Sequence, residues 1–395
     1  NLRHSRVLNG FAFEIQTCSR SLHVFAAWDR KILQNTEVPM LRRTIQFASL
    51  FLLATCAGTA EMPEAPRVAM PDADAAWSFD TVAAELADAS CPAGTAPAPS
   101  VPLSITAHSI DLGPAEEVAR RLPDGAAFAG GWELTADNAS FGGLSDLALD
   151  SNGDLLAVVD DGAFVRIGME DGAPDGTGEL TYMLGQDGQI LQGKSMGDAE
   201  GLVVRNSLAI VSFERTHRIS AFALETCGAA AREAPISTLP STYAGRLIDE
   251  NRGAEALAIT PEGSILFGYE TVERGQSPIG AVTGPDSAGW TDEMAPNPAG
   301  YAFVGFDATR IGNTDETFWL FRSYDPIRGN RNVLSWQNGE KEIVLTRPLA
   351  VDNYEGITVQ DLGNGVARVW IISDDNFNPQ QRTLLLAFDI AVTSE

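Results

Sequence analysis

Four short segments of this chain each place one carboxylate at the start of a β-forming run and another at the end of the next. The first runs Gly143-Leu-Ser145-Asp146-Leu147, turns at Asp150-Ser-Asn-Gly-Asp154, and continues as Leu155–Val159 into Asp160-Asp161. The second has Ala199-Glu200-Gly201-Leu202, then Leu208–Phe213 and Glu214-Arg215. The third has Ala254-Glu255-Ala256-Leu257, a turn at Pro261-Glu-Gly263, then Ser264–Tyr269 and Glu270. The fourth has Tyr354-Glu355-Gly356-Ile357, a turn at Gly363-Asn-Gly365, then Val366–Ser373 and Asp374-Asp375-Asn376. Two runs joined by a tight turn form a hairpin whose outer ends lie side by side. Both acids of each segment are therefore expected at one rim, with Asp146, Glu200, Glu255 and Glu355 converging there.

Several carboxylates at one place repel one another unless a cation, an arginine or a raised pKa relieves them. A hard cation such as Ca²⁺ takes six to eight oxygen ligands and suits such a ring. Arg215, Arg322 and Arg382 lie next to or near acids in their own segments, so guanidinium–carboxylate clamps answer the same problem. A purely structural network of ion pairs between repeats is the third answer, and the spacing alone leaves all three open.

The elements that must hold these acids repeat. Ser145, Glu200 and Glu255 are 55 and 55 residues apart, and Glu355 lies 100 further on, about two periods. The missing copy falls near 300–325, where Tyr301–Phe306 and Thr317–Arg322 supply strands with a divergent start. A sixth unit is available from Leu103–Leu112 and Gly131–Leu134, closed by Thr383–Ile390. A period near 50 residues fits one four-stranded blade, and stacking blades round an axis buries the faces no blade buries alone. The expected fold is all-β, a single β-propeller of five or six blades over residues 101–393, with six favoured. A pair of β-sandwiches is the alternative, but it does not explain the spacing.

Other features narrow the chemistry. The net charge is −26. Beyond residue 60 the chain keeps 20 basic and 50 acidic residues, or −30. That field repels nucleic acid and anionic lipid, and either favours cations or keeps the protein dissolved. There is no Gly-x-Ser-x-Gly elbow, phosphate loop or His-Glu-x-x-His pair. Only His108 and His217 remain after residue 60, so a Ser-His-Asp mechanism would have to use one of them. Asp150–Asp154 superficially resembles a calcium loop but sits where a hairpin turn is needed.

Met40-Leu-Arg-Arg43, the apolar run Ile45–Ala57 and the small residues to Ala60 have the order of a secretory signal. Residues 1–39 then read as an upstream over-extension, 40–60 as the signal and 61–100 as an Ala/Pro/acid-rich tail. The expected location is periplasmic or secreted, with lipid anchoring through Cys56 as the alternative. No segment is long enough to span a bilayer, which needs about 20 apolar residues. Cys91 and Cys227 remain, either paired in an oxidising compartment or as separate buried thiols.

The segments Phe141-Gly-Gly-Leu-Ser-Asp-Leu147, Asp198-Ala-Glu-Gly-Leu202, Phe213-Glu-Arg215, Glu255-Ala-Leu257, Asn353-Tyr-Glu-Gly-Ile357 and Ile372-Ser-Asp-Asp-Asn376 resemble the bacterial secreted phytase-like family, described by its esterase-like activity of phytase. The resemblance covers roughly residues 130–390. It implies a propeller and ester or phosphoester hydrolysis, with a polar set at Glu200, Glu214, Arg215, Glu255, Glu270, Glu355, Asp374, Asp375 and Asn376, and a looser match at Arg322. The combined expectation is a monomer acting on a small-molecule ester or phosphate ester. Glu200, Arg215, Glu255, Glu355 and Asp374 would be catalytic. Arg322, Glu270 and Asn376 would bind substrate, and Glu200, Glu255, Glu355 and Asp375 would hold Ca²⁺. A non-catalytic binding propeller of the envelope is the other class.

Overall fold

In a computed structural model, residues 77–191, 193–270 and 275–392 are described. Strands dominate because the chain alternates short β-branched and aromatic runs with Gly, Asn and Asp turns. They form five four-stranded antiparallel groups. The first is 144–149, 155–159, 163–170 and 173–182; the second is 199–205, 208–213, 218–222 and 234–238. The third is 256–259, 265–268, 277–284 and 287–295; the fourth is 302–311, 314–325, 329–336 and 341–345. The fifth takes 354–361, 366–373 and 383–391 from the end of the chain and 126–136 from its beginning. The segment expected near 300–325 is therefore a full blade.

The buried side chains form five clusters, each shared by two neighbouring blades. Phe164 of the first packs on Phe213 and Phe222 of the second, and Ile210 of the second on Phe267 of the third. Ala256 and Ile279 of the third meet Phe303 and Phe321 of the fourth, and Phe318 and Trp336 of the fourth meet Tyr354 and Ile371 of the fifth. Trp370 and Leu385 of the fifth meet Leu144 and Val165 of the first, which closes the ring. The chain is a β-propeller over its described residues, its strands falling into these five groups. The expected sixth unit does not form a blade of its own. Strand 126–136 instead pairs along 383–391, with Phe128 opposite Phe388 and Trp132 opposite Leu385, and completes the fifth. Strand Val101–Ser109 bridges the outer edges of blades one and five by pairing with 177–180 and with 132–136. Strand 101–109 thus covers the outer edges of these two blades, while 234–238, 287–295 and 341–345 stay outermost in the other three.

The described part of the tail holds a short α-helix, Ala83–Ser90. Phe79 is fully buried in the cluster between blades two and three, and its N–H donates to the Gly263 carbonyl at 2.9 Å. Cys91 and Cys227 form a disulfide with Cα atoms 5.8 Å apart, fastening this tail to the second blade. Asp150 accepts the N–H groups of Asn152 and Asp154 at 2.8 and 3.1 Å, the bonding of a hairpin turn. No described helix is long and apolar enough to cross a membrane. The secretory-signal and Cys56 readings lie outside the described residues.

Leu386 is fully buried in the closing strand. Leu386→Ala is expected to cost about 2–5 kcal/mol, read by chemical denaturation. A loss below 1 kcal/mol, roughly the cost of an exposed change, would contradict the closure.

Candidate functional site

The innermost strands share a local irregularity. Pairing slips by one residue between Leu144 and Asp146, Ala199 and Gly201, Phe303 and Gly305, and Tyr354 and Gly356. Ser145, Glu200, Val304 and Glu355 sit on these bulges, which turn a side chain out of the regular pleat. Glu255, immediately before strand 256–259, occupies the same place in blade three. The residue following each partner strand's matching position is Asp160, Glu214, Glu270, Arg322 or Asp374. Two positions per blade thus encircle one end of the axis. Blade four alone has no acid there, carrying Val304 and Arg322.

Arg322 reaches across to its neighbours. It donates to Asn353 Oδ1 at 3.0 Å, to Glu270 Oε1 at 3.1 Å and to Glu355 Oε1. Asn353 also donates to Glu355 at 3.0 Å, and Glu355 shares a hydrogen bond with Asp374. On the other side, Lys194 binds Asp160 at 2.5 Å and stands 3.5 Å from Asp198 Oδ1, while Arg215 Nε binds Asp198 Oδ2 at 2.7 Å. Between these cations lie Asp198, Glu200 and Glu214, each offering an oxygen within 4.8 Å of the others. Glu214 accepts the Gly253 N–H at 3.2 Å and shares a hydrogen bond with Glu255.

Burial is the first cause of the electrostatics here. It pushes Glu200 and Glu255 well above the usual carboxylate range, with repulsion from Glu255 adding to it at Glu200 and from Glu270 at Glu255. It raises Glu214 to about 7, aided by Asp198, and Asp374 to about 8, aided by Glu355. Glu355 is raised by burial against the opposing pull of Arg322, and Asp160 against that of Lys194. The belt is an excess of acids whose ionised forms lack partners. Asp198 Oδ1, buried and without a hydrogen-bond partner, and three hard oxygen donors in reach of one another fit Ca²⁺.

Glu200, Glu214, Glu255, Glu270, Arg322, Glu355 and Asp374 are thus brought together from four blades, and Arg215 flanks them through Asp198. Asp146 is a correction. It lies one residue deeper than the ring and accepts backbone N–H groups from Leu202 at 2.7 Å, Leu147 at 2.9 Å and Ile357 at 3.0 Å. Its carboxylate ties the inner strands of blades one, two and five. Asp375 is another correction as a calcium ligand. Its oxygens accept the Gly143 and Phe377 N–H groups at 2.9 and 3.0 Å and the Thr383 hydroxyl at 3.0 Å, so it holds a loop instead. Asn376 gives Asp374 its backbone N–H at 2.6 Å, with its own side chain exposed. Glu355 is tied to Arg322 and lies apart from the three clustered donors.

His217 is buried against Tyr269, ring centroids 5.6 Å apart, and burial lowers its pKa. His108 lies on strand 101–109, whose pairing takes it to the outer edge of the blades. Sequence reasoning passed over Asp198, Asn353 and Lys194 as site residues. Asp198 and Asn353 each stand two places before a ring glutamate inside the quoted motifs. Lys194 is one of only two lysines after residue 60.

Residues 139–318 match the family model Phytase-like, described as esterase-like activity of phytase, so this segment is phytase-like. No curated protein matches the chain. Among solved structures it is similar to the PQQ-bound aldose sugar dehydrogenase of Streptomyces coelicolor, with 11% identity over 68% of this chain and 99% of that one, TM-score 0.39. It is also similar to the PQQ domain of a pyranose dehydrogenase from Coprinopsis cinerea, with 9% identity over 67% and 96%, TM-score 0.34. The Dos1 propeller matches at 8% identity over 67% and 74%, TM-score 0.28.

Folded Glu214 and Asp374 keep their protons to about 7 and about 8, whereas unfolded carboxyls lose theirs near 4.5 and 3.8. Through that window the folded chain binds more protons than the unfolded one, so stability falls as pH rises. In cation-free buffer Tm is expected to drop by several degrees between about pH 5 and about pH 8. Glu214→Gln with Asp374→Asn should flatten the drop. A Tm constant or rising across the window in the parent protein would contradict the assignment.

Proposed function

We propose that the acidic end of the axis is the active site of a calcium-dependent ester hydrolase that prefers phosphate monoesters. The observation that carries this reading is the cluster Asp198, Glu200 and Glu214 beside two cationic side chains, Arg215 and Lys194. The phytase-like segment supports it, since residues 139–318 hold five of the seven ring acids: Asp160, Glu200, Glu214, Glu255 and Glu270.

Asp198, Glu200 and Glu214 would hold the ion. When bound, Ca²⁺ supplies charge that draws an anionic substrate to a protein of net charge −26 and polarises its phosphoryl oxygen. Glu255, whose burial keeps it a strong proton acceptor once ionised, takes the proton of the attacking water. Asp374, still protonated at neutral pH, gives its proton to the leaving oxygen. Arg215 is partly exposed and uses one nitrogen on Asp198, leaving the rest of its fork for a phosphoryl oxygen. Arg322 already meets Glu270, Asn353 and Glu355, so its role is to fix those groups and to oppose the burial that raises the Glu355 pKa. Such a site favours a phosphate ester over a neutral acyl ester, because its cations act on an anion present before the reaction.

One observation favours a second reading, a non-catalytic binding propeller. Lys194 lies within reach of both Asp160 and Asp198, so the ring accommodates an ammonium as readily as a metal.

A chromogenic phosphate monoester and a short acyl ester, assayed with and without millimolar Ca²⁺, separate the two. Calcium-dependent phosphatase turnover is expected, with Arg215→Ala and Glu200→Gln each reducing kcat/KM about 100-fold or more, the scale of lost transition-state contacts, at unchanged fold by circular dichroism. Silence on both esters from a folded, calcium-loaded protein favours the binding propeller.

A further inference from the structure

The turns at the two ends of the blades differ in chemistry. At the end away from the acids they read Asp150-Ser-Asn-Gly-Asp154, Asn206-Ser207, Pro261-Glu-Gly263, Gly312-Asn313 and Leu362-Gly-Asn-Gly365. At the acid end the connections carry large apolar side chains in water. Nine large hydrophobic residues are exposed among the described residues, and the three most exposed, Ile327 at 92%, Leu247 at 83% and Tyr324 at 70%, all belong to acid-end connections. Met196 and Phe377 join them, whereas the opposite turns contribute Leu362 alone. Single exposed hydrophobics are ordinary on any surface. Their concentration around one polar mouth is not.

Each of these residues is tied to the ring. Tyr324 follows Arg322 by two on strand 314–325, so both project from one face, and Tyr324 stands roughly 7 Å further out along the strand. Ile327 is on the hairpin tip just beyond, held by its N–H to Asp325 at 2.8 Å. Phe377 lies against Gly143 beside Asp160: a Cβ on Gly143 would come 2.5 Å from the Phe377 ring and 2.6 Å from Asp160 Oδ1. Met196 rides on the turn of helix that carries Lys194, and its carbonyl accepts from Arg218 at 2.8 Å. Leu247 is in the hairpin of the 239–255 connection, whose Gly253 bonds Glu214 and which ends at Glu255.

We infer that the substrate is an amphiphilic ester: its polar head enters the acid ring and its alkyl or aryl part lies along Tyr324 and Ile327, on the hairpin beyond Arg322. The inference rests on the hydrolase reading for the head group and adds the class of the remainder. Tyr324 and Ile327 lie on one hairpin that continues outward from Arg322, which fits one chain seated beside the head group. An anionic bilayer is disfavoured, since the net charge of −26 repels it. A highly charged, compact polyol phosphate would leave these side chains unused.

The test uses the full chain with saturating Ca²⁺ and n-alkyl phosphates from ethyl to octyl, with the matching n-alkylphosphonates as non-hydrolysable probes measured by calorimetry. KM and the phosphonate Kd should fall about twofold to fourfold per added methylene, the gain from partial to full burial of each group. Tyr324→Ser with Ile327→Ser should flatten both series while leaving kcat for ethyl phosphate unchanged. Turnover and affinity independent of chain length overturn the inference but not the hydrolase reading. Length-dependent phosphonate binding without turnover of any ester keeps the apolar subsite and overturns hydrolysis. Co-sedimentation with phosphatidylcholine vesicles that the double variant abolishes, without chain-length dependence of the free probes, makes the occupant a membrane and overturns it as well.

Discussion

A single carboxylate on the axis organises the inner strands. The position two places along each innermost strand is Asp146, Gly201, Ala256, Gly305 or Gly356. Four of the five are glycine or alanine, and the strands close in to match. A Cβ on Gly356 would fall 2.6 Å from Asp146 Cα, one on Gly201 2.6 Å from Leu257 Cβ, and one on Gly305 2.7 Å from the Glu355 carbonyl. Into the space so left, Asp146 brings acceptors for N–H groups on three strands. A buried N–H without an acceptor is costly, so the inner ends of blades one, two and five are held in fixed register. Glu200 and Glu355 each sit two residues before an N–H that Asp146 binds. The aim of the rim acids therefore depends on a group that takes no part in the rim.

The rim is out of electrostatic balance, and this gives it a use. Burial, with repulsion between neighbouring acids, raises the pKa values of Asp160, Glu200, Glu214, Glu255, Glu355 and Asp374. Blade four relieves part of this by offering Arg322 where the others have acids, and Lys194 and Arg215 relieve another part at blade two. Asp198, Glu200 and Glu214 are the remainder, and a hard cation answers all three at once. Outside the rim, the exposed apolar side chains add a second polarity.

Much of this was legible in the sequence because a repeat duplicates positions. The 55-residue spacing of Ser145, Glu200 and Glu255 located three blades and their shared rim, and the gap near 300–325 located a fourth. That spacing already set Asp146 one residue off the register of Ser145; what it could not show is the one-residue slip in pairing that turns the two side chains to different places. Arg322 was the looser match because its segment starts divergently, with Val304 where the other blades carry Ser or Glu. The closing contact of 131–134 with 383–390 was legible too, but as a sixth unit, because nothing in residue type shows that 126–136 shares a sheet with 354–361 and 366–373.

A crystal structure grown with Ca²⁺ tests the central claim most directly. The account predicts one ion bound by Asp198, Glu200 and Glu214 at about 2.3–2.6 Å from their oxygens, with Asp146 still holding Leu202 and Ile357. Electron density showing no ion there at saturating Ca²⁺, with Lys194 closed onto Asp198 and Glu200 instead, would contradict it.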